Sequence, residues 1–148
     1  MNTHVENIPA HSILYMRRTG PYGAENYQLM QTMKDWITKH DLWEEGSSIY
    51  GIAQDNPTTQ PEKCRYDVCF VTETLILDEV VHQGTLPAGE HLVFEILHTA
   101  EEVKRFWGSI GDALAHEDRL PDGSRPVLER YQFSLVEKGY CEFCVPIL

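Results

Sequence analysis

Two stretches of this chain repeat one another about 75 residues apart, and that internal echo limits the possible folds more than any other feature. Leu29, Met33 and Trp36 fall on Val103, Trp107 and Ile110 at an offset of 74, while Lys63, Asp67 and Cys69 fall on Lys138, Glu142 and Cys144 at an offset of 75. The elements within each half agree. Residues 12–18 alternate as a strand, and Gly20-Pro21-Tyr22-Gly23 then turns the chain into a helix over 24–40 with Leu29, Met30, Met33, Trp36 and Ile37 on one stripe. Strands follow at 48–54 and 65–72, joined by a Pro-rich segment over 55–63. In the second half a strand over 91–97 runs into Thr99. With Glu102 this forms a Thr-x-x-Glu capping box before a helix bearing Val103, Phe106, Trp107, Ile110 and Leu114. Strands over 126–135 and 139–147 complete the plan.

The pattern predicts an α+β fold of duplicated strand-helix-strand-strand units, with an antiparallel sheet and two main helices related by a pseudo-twofold axis. At 148 residues, 42% of them hydrophobic, the chain supports one well-buried domain over 1–148, with pseudo-repeats at about 10–75 and 85–148. A groove between the two helices is expected. No long uncharged apolar stretch or signal-like start is present, so a cytoplasmic protein with no membrane partner is expected. The net charge of −11 repels nucleic acid phosphates and argues against direct nucleic acid binding.

Neither cofactor nor metal is expected. The seven histidines form no ligand-spaced cluster, and Cys141 and Cys144 have CxxC spacing within a run of strand-forming residues. On a strand, positions three apart point to opposite faces, so reduced, buried thiols are expected instead.

Glu129 is the residue that invites a function. Period-two alternation puts it on the same strand face as Val127, Tyr131 and Phe133. If that face is buried, the acid needs a protein cation, a protein hydrogen-bond donor or a cationic ligand. A half-wet edge strand is the remaining possibility.

The segment Asp55-Asn56-Pro57-Thr58-Thr59-Gln60-Pro61-Glu62-Lys63-Cys64-Arg65-Tyr66-Asp67, entered from Tyr50-Gly51-Ile52, resembles the DNP...P-E-K-x-R-x-D stretch of the GyrI-like family. That family is also described as the effector-binding domain of AraC-type and MerR-type transcription regulators. Gly20-Pro21-Tyr22, Trp107 and the Glu-x-Tyr strand Leu128-Glu129-Arg130-Tyr131 agree, and the resemblance covers residues 5–147. It implies the duplicated SHS2-type, regulatory factor effector-binding fold, with a cleft between the repeats that in relatives takes lipophilic, in many cases cationic, small molecules. It carries the pocket acid over to Glu129. Some relatives inhibit DNA gyrase, which makes gyrase or another protein a candidate partner. Others resemble hydrolases that open cyclopropane rings of reactive natural products. Regulators of the family carry an N-terminal helix-turn-helix, whereas this chain starts almost directly at its first strand, so transcriptional control is not carried over.

The expected ligand-binding residues are Glu129, Tyr131, Trp107, Tyr22 and Phe133, a carboxylate with aromatic faces suited to a lipophilic cation. If the cleft is catalytic, Glu129 acts as general base or charge stabiliser and Tyr131 positions the leaving oxygen. Arg130 and Gln132 face the other way by alternation and are left outside the pocket.

Overall fold

The two polar runs at residues 2–8 and 82–86, which carry almost no alternation, both form strands. The computed structural model describes residues 2–56, 58–76 and 78–148. Its strands are β1 (Asn2–Ile8), β2 (His11–Thr19), β3 (Ser48–Ala53), β4 (Arg65–Val71), β5 (His82–Leu86), β6 (Gly89–Leu97), β7 (Leu128–Gln132) and β8 (Tyr140–Pro146). The helices are α1 (Ala24–Lys39), α2 (Ala100–His116) and the single turn α3 (Phe133–Val136), with a 3-10 turn at Pro61–Lys63. The fold is α+β, and each strand pairing described below is antiparallel.

The chain divides into two compact units, residues 1–10 with 87–148 and residues 11–86. In the first, the strand order is β1-β6-β8-β7 and α2 packs on one face. In the second the order is β3-β4-β2-β5, with α1 burying Met33, Trp36 and Ile37. Each unit borrows an outer strand from beyond its own strand-helix-strand-strand run. Ile8 pairs with Gly89 and Leu86 with His11, so the two borrowed strands enter in matching register. The tripeptides Ile8-Pro9-Ala10 and Leu86-Pro87-Ala88, 78 residues apart, mark this in the sequence.

The helices also repeat, at an offset different from the expected 74. His40, Asp41 and Leu42 donate backbone N–H groups to Trp36, Thr38 and Ile37, and Glu117, Asp118 and Arg119 donate to Ala113, Ala115 and Leu114, an offset of 77 throughout. Both ends are Schellman-type caps with an aspartate in the left-handed region, Asp41 at φ 54° and Asp118 at φ 55°. At this offset Trp107 corresponds to Met30, and the buried Ile37 corresponds to the buried Leu114. Thr99 caps α2 as its sequence predicts, accepting from the Glu102 N–H at 3.2 Å. The Glu102 carboxylate instead meets Arg105 at 2.9 Å.

The expected strand over 126–135 is shorter than predicted. It ends at Gln132, and Phe133–Val136 winds into a helical turn closed by Glu137 N–H to Phe133 C=O at 3.0 Å. The chain must reverse here into β8, and Gly139, at φ 86°, finishes the bend.

Candidate functional site

Register decides what Glu129 faces. Glu129 lies opposite Phe143 of β8, and Phe143 lies opposite Phe94 of β6, so all three project from the face covered by α2. Phe106 of α2 stacks on Phe143 with ring centroids 4.2 Å apart and meets Phe94 edge-on at 5.3 Å. Trp107 sets its edge against Phe143 at 5.5 Å and is 40% exposed. One side of the indole therefore joins the core and the other is open to solvent.

Tyr131, two residues along β7, packs against the same core, and its hydroxyl donates to Glu129 Oε2 at 2.9 Å. Of the partners open to the acid, a protein hydrogen-bond donor is thus present. The His98 ring lies 5.2 Å from the Tyr131 ring. Burial pushes the Cys141 thiol up to about 12, with the Glu129 charge adding to the effect.

Of the predicted site residues, four belong to the first unit and one, Tyr22, to the second. Glu129, Tyr131 and Trp107 come together on one face of the first unit. Phe133 belongs to the same unit but opens α3 and is 47% exposed, so it has left the strand whose alternation placed it beside Glu129. Tyr22 belongs to the second unit, where its hydroxyl donates to the Arg65 carbonyl at 3.0 Å and accepts from the Asp55 N–H at 3.1 Å. There it clasps the β3–β4 connection.

The most recognisable motif does the same structural work. The Asp55 carboxylate takes hydrogen bonds from the Arg65 backbone N–H at 2.7 Å and from its guanidinium at 3.1 and 2.9 Å. Asn56 Oδ1 accepts from the N–H of Thr58 at 3.1 Å, while Pro57 lies outside the described residues. Asp67 at the motif's end is held by Arg17 at 2.6 and 2.8 Å and by Gln54 at 2.9 Å.

Sequence reasoning missed Phe143 as the residue opposite the acid, Phe106 as the ring stacked on Phe143, and His98 as the ring beside Tyr131. Phe143 was available from strand pairing, since the two last strands of a unit are joined by a short turn. His98 follows β6 outside any periodic run and carried no signal.

Cys141 and Cys144 lie opposite Ile96 and Val93, on opposite faces of β8, and all four cysteines are buried and free. Among the described residues no three histidine, cysteine or acidic side chains are grouped to hold a metal ion. No helix among them is long and apolar enough to cross a membrane. A cavity of about 410 Å³ opens between α2 and β6 toward β1, and none of its lining residues is a predicted site residue.

A fold of two four-stranded antiparallel units with one carboxylate set into an aromatic face is suited to small-molecule binding. The chain belongs to the GyrI-like family, whose model, described as a GyrI-like small molecule binding domain, matches residues 1–148. It is 36% identical over 150 residues to the SPbeta prophage-derived YosT of Bacillus subtilis (strain 168), described as a candidate transcriptional regulator, covering 99% of each chain. It is 26% identical over 133 residues to a DNA gyrase inhibitor of Serratia proteamaculans (strain 568), covering 86% of this chain and 81% of that one.

Among solved structures the EcmrR C-terminal domain superposes with a TM-score of 0.76 at 10% identity, over 99% of this chain and 97% of that one. The chain spans 57% of the EcmrR chain seen in its complex with DNA. SAV2435 bound to tetraphenylphosphonium superposes with a TM-score of 0.64 at 15% identity, over 100% of this chain and 94% of that one. These likenesses establish the fold.

Proposed function

We propose that this chain binds a lipophilic cation, with Glu129 as its countercharge and Tyr131 and Trp107 as its aromatic contacts. The carrying observation is the carboxylate opposite Phe143, hydrogen-bonded to Tyr131 and two contacts away from a half-open indole. A carboxylate on a greasy face exerts a field that water screens weakly, and the aromatic faces add cation–π attraction of about 0.5–2 kcal/mol each. The family description supports a small-molecule ligand, and the tetraphenylphosphonium complex of SAV2435 supplies a cationic probe. The reading places the protein in the cytoplasm.

Displacement of a fluorescent dye by tetraphenylphosphonium tests it. Glu129→Gln, nearly isosteric, should weaken the cation by about 1.5–4 kcal/mol, which is more than tenfold in affinity. Tyr131→Phe should give a smaller loss. Equal affinities of wild type and Glu129→Gln would exclude a charge role for this residue.

Similarity to a gyrase inhibitor favours a second reading, in which the protein binds gyrase through its surface. Inhibition of supercoiling that survives Glu129→Gln and fails on reversal of surface charges would select that reading.

A further inference from the structure

Arg130 follows Glu129 in β7 and points to the opposite face of the sheet, where it is buried. Its Nε donates to Glu142 Oε1 at 2.9 Å, and its two terminal nitrogens donate to Glu6 Oε2 and Oε1 at 2.7 and 3.0 Å. Glu142 lies directly opposite on β8, but Glu6 lies on β1, at the far edge of the unit's sheet. Three strand spacings separate β7 from β1, roughly 14 Å across a flat sheet. The guanidinium therefore ties the two outer strands of the unit's sheet together.

β7 is joined to β8 by only three register pairs, Leu128 with Cys144, Glu129 with Phe143 and Arg130 with Glu142. A slip of one residue would send every side chain of β7 to the other face. Glu129 would then face Glu6 and Glu142, and Arg130 would face Phe143 and Phe106. Both moves bury charge against the wrong neighbour, so the dipeptide Glu129-Arg130 encodes the register from both faces at once.

We propose that Arg130 is the positioning residue for Glu129: its clamp on Glu142 and Glu6 fixes the register of β7 and thereby the aromatic face on which the acid is presented. This inference rests on the cation-binding reading above. It makes β1, whose Glu6 lies on the face opposite Glu129, part of what holds the site.

The test compares tetraphenylphosphonium with triphenylphosphine oxide, which has no net charge, and reads the ratio of the two affinities. A residue that only supports the fold would change both affinities together, whereas displacing Glu129 removes the preference for the cation. Arg130→Lys keeps the charge and loses the fork, and should lower the ratio about threefold. The neutral triple variant Arg130→Met/Glu6→Gln/Glu142→Gln removes every charge of the clamp and should lower it about tenfold. NMR contacts between the β7 and β8 backbones should shift or weaken in the same order.

A folded triple variant with the wild-type ratio overturns the inference. If the triple variant does not fold, Arg130→Lys with an unchanged ratio and unchanged backbone contacts overturns it equally. A wild-type protein that shows no preference for the cation, or keeps it in Glu129→Gln, defeats the binding reading instead.

Discussion

The two units share one plan, and their equivalent positions carry different chemistry. In the second unit Gly51 pairs with Val68 where in the first Glu129 pairs with Phe143, so the position of the acid is filled by a residue with no side chain. Ile52, opposite Asp67, takes the place of Arg130, opposite Glu142. A buried acid is kept at the equivalent point of both central strands, Asp67 and Glu142, yet each receives its cation from a different flanking strand. Arg17 reaches Asp67 from β2, directly across one strand spacing, whereas Arg130 reaches Glu142 from β7 and continues to Glu6. Duplication thus preserved the backbone and the buried acids. Among the described residues, the aromatic face with its own carboxylate is seen in the first unit.

Breaking the buried clusters should give the largest effects. Arg130→Met strands Glu142, 7% exposed, beside Glu6 and should cost about 3–5 kcal/mol in chemical denaturation. Arg17→Met leaves Asp67 with the Gln54 amide as a donor, and about 2–3 kcal/mol is expected. A larger loss for Arg17→Met would reverse the ranking of the two clusters.

Gly89→Ala comes next. A Cβ there would collide with an Arg125 terminal nitrogen, and Arg125 ties together Asp122, the Glu90 carbonyl and the Ile147 carbonyl. About 1–3 kcal/mol should be lost in thermal unfolding. The matching register position in the second unit is His11, where a side chain is accommodated.

Asp41→Gly and Asp118→Gly should each stabilise by about 0.5–1 kcal/mol, because both relieve a left-handed non-glycine residue and remove a negative charge at a helix C-terminus. Nearly equal and additive gains, read as shifts in the denaturation midpoint, would confirm that the two caps are the same device.

A further effect is read in acid. Hydrogen bonds from Arg130 hold Glu6 down to about 2, from an ordinary value of 4.5. A depressed carboxyl contributes stability above its unfolded pKa and loses it as pH falls toward its folded one. Stability should therefore decline between pH 4.5 and about 2, with a shallower slope in Glu6→Gln.

The buried elements of the fold were legible because their apolar residues repeat at 3.6 or 2.0 positions, as in α1, β4 and β6. β1 and β5 were not, because each is an outer strand of its unit with one buried residue, Ile8 or Leu86, and outer strands need no apolar face. Their trace was the repeated Pro-Ala turn, a signal of connection and not of period. Glu129 and Tyr131 were legible by alternation; that Phe133 opens α3 was not, because alternation says nothing about where a strand stops. Tyr22 and the Asp55–Arg65 pair stood out by motif, and their hydrogen bonds serve the β3–β4 loop. Arg130 was set aside as facing away from the pocket, although that orientation is what lets it fix its neighbour.

Tetraphenylphosphonium titrated into isotope-labelled protein, followed by NMR, tests the central claim most directly. The account predicts that the largest shifts fall on the side chains of Glu129, Tyr131 and Phe143 and on the Trp107 indole N–H, and that Glu129→Gln erases them at the same ligand concentration. Shifts that leave these four residues untouched, or that persist unchanged in Glu129→Gln, would contradict it.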